Sequence, residues 1–159
     1  MTPPHHAHGG AAIAALTSMD AWEADLILNL RLWCDGPRGQ AKARHAYHNL
    51  FPETEADRAW YMFETLVTKI VGTANRPLVR HQLGCNCVGS DECVFVHLIR
   101  TASDGHLNDA ALIATLLSGA AHAEHIAILA GEVGSIARSF HRKRKPQSTA
   151  AAPNVVRLH

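Results

Sequence analysis

The chain has 159 residues, 47% of them hydrophobic and 18% charged, which are the values of an ordinary globular domain long enough to bury a core. They exclude a collagen-like repeat and a highly charged chain that never folds. Fifteen Lys and Arg against fourteen Asp and Glu leave a net charge of +1, so no overall field recommends nucleic acid as a partner.

No apolar run is long enough to span a membrane. Residues 1–18 lack a Lys/Arg n-region, and Ala11–Leu16 is too short for a signal h-region. A cytoplasmic protein is therefore expected. Thiols stay reduced there, and clustered cysteines point to metal or redox work over structural disulfides.

In chain order, residues 1–17 are Pro, His, Gly and Ala without a usable period and read as a disordered arm. His5, His6 and His8 within it are adventitious metal binders at most. A helical domain is expected over residues 18–145. Asp20 with Glu23 three residues on marks its first helix, which runs to Cys34 with Trp22, Leu26, Leu30 and Trp33 on one face. Ile27, Leu28 and Leu32 widen that face, and Asp35-Gly36-Pro37 ends it. A basic helix follows from Arg38 to Leu50. The third, over 55–74, repeats i, i+3, i+4, i+7 without a slip through Ala56, Ala59, Trp60, Phe63, Leu66, Val67, Ile70 and Val71.

Pro77 disfavours helix at Arg76, and the next helix is expected over 91–102. Val94-Phe95-Val96 has strand character, but Ser90-Asp91-Glu92 in front and Arg100 behind favour a helix. Ser103-Asp104-Gly105 turns the chain, and Asn108 is placed to cap a fifth helix to Leu117. The sixth, over 121–142, carries Ile126, Leu129, Val133, Ile136 and Phe140 in one stripe. Residues 146–159 read as a disordered tail. The expected fold is all-α: one compact bundle of five to six helices with a Cys-rich, Gly-flanked loop.

That loop holds the chemistry. Cys85, Cys87 and Cys93 fall within nine residues, His81 and His97 stand at the two ends, and Gly84 and Gly89 bracket the Cys-x-Cys. Ser90 as N-cap would put Cys93 one turn into a helix, where the dipole favours a thiolate, with His97 on the same face. Three thiolates and one imidazole are a common structural zinc set, with His97 or His81 as the fourth ligand. The spacing Cys-x-Cys-x5-Cys-x3-His matches neither of the familiar paired motifs. An iron–sulfur cluster is less favoured, because only the distant Cys34 supplies a fourth thiol.

Two histidine pairs, His45/His48 and His122/His125, sit i, i+3 on different helices. They are an inventory for a metal pair or a haem if the helices face one another, but no Glu-x-x-His accompanies them. The basic end His141–Lys145 suits a helix C-terminus without any partner. No P-loop, dinucleotide fingerprint or Gly-x-Ser-x-Gly occurs. The leading expectation is a non-enzymatic metal-binding regulatory or adaptor protein that holds zinc at Cys85, Cys87, Cys93 and His97 or His81. The alternatives are a thiol redox sensor or enzyme using Cys93 with Cys85 or Cys87, and a helical protein-interaction module with incidental cysteines. A protein partner or self-association goes with either regulatory reading.

Overall fold

The computed structural model describes residues 12–144. Six α-helices account for most of them: α1 (Ala21–Cys34), α2 (Pro37–Leu50), α3 (Glu53–Thr73), α4 (Ser90–Ser103), α5 (Leu107–Ala114) and α6 (Ala123–Arg144). Short 3-10 turns occupy Leu16–Ser18 and Ala120–His122. The all-α bundle expected from the periodicity is the observed fold, and none of its described helices is long and apolar enough to cross a membrane.

The sharpest turns follow from backbone chemistry. Gly36 has φ +89°, a conformation that L side chains resist, and Pro37 then opens α2 with its φ already helical. Pro52 stands just before α3 as its N-cap, with an extended ψ of 145° that separates α2 from α3. The first three helices therefore pack on one another in succession, α1 on α2 and α2 on α3. Their aromatic side chains meet in one cluster, in which Tyr47 stacks on Phe51 at 5.4 Å and meets Phe63 at 5.2 Å, and Phe51 touches Phe140 of α6 at 4.6 Å.

α6 is the hub, packing on α1, α3, α4 and α5. Its crossing with α4 is close because Gly134 faces Ser103 and Ile99, where an added Cβ would lie 2.7 Å from the Ser103 Cβ. The periodic stripe of α3 is buried as its spacing requires, with Phe63, Leu66 and Val67 fully enclosed and Trp60 and Ile70 nearly so. Val71, counted in that stripe, lies at its edge and is exposed. α4 contributes as much to the core through Phe95, Leu98 and Ile99, so the strand alternative for Val94–Val96 does not hold.

Ala14–Ala15 forms a strand, β1, which pairs antiparallel with β2 (Cys87–Val88), Ala14 opposite Val88 and Ala15 opposite Cys87. Part of the arm expected to be disordered is thus laid against the segment before α4. Residues 1–11, and the tail expected over 146–159, lie outside the described residues.

Candidate functional site

Between α3 and α4 the chain runs through residues 74–89 with no helix of its own, so its backbone groups need partners from elsewhere. Charged side chains supply many of them. Asp91, in the first turn of α4, accepts two bonds from Arg76, at 2.6 and 2.9 Å, and one from the Val79 N–H at 2.7 Å. Arg80 donates to the Cys34 carbonyl at 3.2 Å and pairs with Asp35 at 2.9 Å, tying the segment to the end of α1.

The central pair is Arg31 with Glu92. Both are 0% exposed. Arg31 donates from Nε and Nη2 to the Glu92 carboxylate at 2.7 and 2.9 Å. Its remaining N–H groups go to three backbone carbonyls, those of Gln82 at 3.1 Å, Cys85 at 2.7 Å and Cys87 at 2.6 Å. All five donors of the guanidinium are engaged. Glu92 in turn accepts the N–H groups of His81 at 3.1 Å and Gly89 at 2.9 Å, the second of which caps α4. The cap residue is thus Gly89, and Ser90 is already inside the helix.

This clamp sets the positions of the thiols. Cys87 is exposed and Cys85 half-buried, and Sγ of Cys85 accepts the Cys87 N–H at 3.3 Å. His81 Nδ1 lies 3.9 Å from the same sulfur, while its Nε2 is buried and meets no partner among the described residues. A buried N–H without an acceptor is the rarer and costlier orphan, so the fitting tautomer carries its proton on Nδ1, towards Cys85. The side-chain hydrogen bond to Cys85, with the charge of that sulfur, pushes the Cys87 thiol up, and Arg31 opposes this.

Cys93 does not join them. It sits inside α4, half-buried against the core, and burial followed by the charge of neighbouring Glu92 raises its thiol instead of lowering it. His97 is exposed. Cys34 stands apart on α1, on the wall of a cavity of about 680 Å³ that Trp33, Arg80 and His81 also line; burial raises its thiol although Arg80 works against this.

The zinc reading is corrected by this arrangement. Among the described residues no group of three or more His, Cys, Asp or Glu side chains is placed to hold a metal. Cys85, Cys87, Cys93, His97 and His81 are therefore not a zinc site. The four cysteines are free and unbridged, and they do not form a metal-binding cluster. The physical reason is that Arg31 fixes the backbone at Gln82, Cys85 and Cys87, while Cys93 packs against the core and His97 faces solvent, so the candidate ligands do not converge. The same finding removes an iron–sulfur cluster and the four-histidine site. His48 pairs with Asp57 at 3.2 Å, and His45 and His125 are exposed. The redox alternative built on Cys93 loses its low-pKa thiol as well.

The organising residues were not singled out from the sequence, although a signal was present. Arg31 is four residues after Ile27, on the buried side of an apolar helix, and a charge at that register needs a buried carboxylate. Asp91 and Glu92 look like ordinary dipole-complementing acids at a helix start, which hides their part in the clamp. Compared with family models, with curated proteins and with solved structures, the chain finds no match, so the site is read from its own geometry.

Proposed function

We propose that the chain is a thiol–disulfide redox protein whose working pair is Cys85 and Cys87. The observation that carries this reading is the contact between the two residues, the Cys87 N–H on the Cys85 sulfur at 3.3 Å with Cys87 open to solvent. The Cys85 sulfur is held by an amide N–H and lies beside the His81 ring, which orients it for attack, and the exposed Cys87, whose thiol is pushed up, is placed to resolve the product.

The reaction this supports is exchange with a disulfide R–S–S–R. The Cys85 thiolate attacks one sulfur, forming Cys85–S–S–R and expelling RS⁻. Cys87 then gives up its proton and attacks the Cys85 sulfur, expelling the second RS⁻. Two electrons pass from the cysteine pair to the incoming disulfide, and the two protons end on two RSH. His81 positions the attacking sulfur, and Arg31 holds the backbone on both sides of it.

Trapping tests the reading. With oxidised glutathione as R–S–S–R, Cys87→Ser should accumulate a mixed disulfide on Cys85 that the parent chain resolves. If Cys87→Ser collects no adduct on Cys85, or collects it on Cys34 or Cys93 first, Cys85 is not the attacking thiol.

A second reading, protein interaction or self-association at the C-terminal end of α5, is favoured by one observation: Leu112 on the helix and Leu116 in the turn just after it are 69% and 64% exposed. A sedimentation shift that Leu112→Glu abolishes would support it, whereas a monomer at all concentrations leaves the redox reading alone.

A further inference from the structure

Resting on the thiol–disulfide reading, we propose that closing a Cys85–Cys87 disulfide releases the N-terminal strap, residues 13–18, from the body of the protein. The backbone carbonyls at 85–88 point alternately to two sides. Those of Cys85 and Cys87 accept from Arg31, at 2.7 and 2.6 Å. Those of Asn86 and Val88 accept the N–H groups of Leu16 and Ile13, each at 2.8 Å. Such alternation marks an extended chain.

In an extended chain, residues two apart are separated by roughly 6.6–6.8 Å, the outer limit of the Cα separation that a disulfide bridges, with its preferred value about 5.5–6 Å. Closing the bridge therefore shortens the chain between Cys85 and Cys87 and buckles it at Asn86. Asn86 is also the anchor of the strap. Its carbonyl takes the Leu16 N–H, its Oδ1 accepts the Thr17 N–H at 3.2 Å, and its Nδ2 donates to Thr17 Oγ1 at 3.3 Å.

Two sets of bonds compete for this short segment, and they are unequal. Those of Arg31 are charge-assisted and part-buried, and losing them strands N–H donors of a fully enclosed guanidinium. Those between Asn86 and Thr17 face solvent, where water replaces them at little cost. The strap is the side that gives way. Its departure uncovers the places where Ala14 and Leu16 pack against the core, beside the enclosed Val88. The redox state of the dithiol thereby becomes a change in shape.

Hydrogen exchange on the full chain tests this, with the protein equilibrated in reduced or oxidised dithiothreitol and the bridge located by peptide mass. The expected result is a Cys85–Cys87 disulfide, exchange at the Leu16 and Ile13 amides faster by roughly tenfold or more, and unchanged protection at His81 and Gly89, whose N–H groups are held by Glu92. A disulfide at 85–87 with an undisturbed strap, or with protection lost at His81 and Gly89 instead, overturns the release and leaves the redox reading standing. Absence of that disulfide under oxidising conditions defeats the redox reading and the release with it. Cys87→Ser, altered only at an exposed side chain, should keep its strap protected in both buffers; loss of protection there assigns the opening to some other oxidation and overturns the proposal.

Discussion

Arg31 ties α1 to the 74–89 segment and to α4 through one side chain. It is an enclosed guanidinium with every donor engaged, and its partner Glu92 is equally enclosed. Removing one member of such a pair strands the other charge in a dry site, so Arg31→Met should destabilise the protein by about 3–5 kcal/mol in urea denaturation. Arg31→Met with Glu92→Met should be less damaging than the two single effects summed, because no charge is then stranded. Strict additivity would mean that the two groups do not depend on one another. Asp91 gives a pH signature at the same scale. The hydrogen bond from Arg76 holds its carboxyl below the ordinary value of 3.8. A lowered folded-state pKa means that its stabilisation is complete above that ordinary value and lost as pH falls through the lowered one. Asp91→Asn should therefore flatten the fall in urea midpoint below about pH 4, and an unaltered acid limb would assign that fall to other carboxylates.

At the scale of elements, two substitutions separate close packing from turn geometry. Gly134→Ala puts a methyl group against Ser103 and Ile99 and forces α4 from α6, at a cost of about 1–3 kcal/mol. Gly119→Ala meets nothing within 4 Å at an ordinary negative φ, and a thermal melt should register little change. Equal losses at the two positions would mean that the α4–α6 contact is not tight. Phe63→Ala empties a fully enclosed aromatic site and should cost about 3–5 kcal/mol. The helices themselves were legible in the sequence because an amphipathic period of 3.6 is a local property, and their ends came within a few residues. The pairing of Ala14–Ala15 with Cys87–Val88 was not legible, since two-residue strands have no period and the partners lie some seventy residues apart. Cys93 was misread for a related reason. The helix dipole is visible in the sequence, but the burial and the acidic neighbour that outweigh it depend on which way the helix faces.

For the whole molecule, the buried ion pair joins α1, the 74–89 segment and α4 through one guanidinium. Stability should accordingly be indifferent to chelators. Full-length protein treated with EDTA should melt at the same temperature as untreated protein, and a drop of several degrees would show that a bound ion supports the fold. The exchange proposed for Cys85 and Cys87 would take place on a backbone held by Arg31 on one side and open to water at Cys87. The most direct test is an equilibrium redox titration of the full chain in glutathione buffers, with each cysteine assigned by differential alkylation and peptide mapping. Cys85 and Cys87 should leave the alkylatable pool together, in one reversible two-electron transition, while Cys34 and Cys93 remain free thiols throughout. If Cys85 and Cys87 stay alkylatable across the whole range, or if either pairs with Cys34 or Cys93 instead, Cys85 and Cys87 are not a working redox pair.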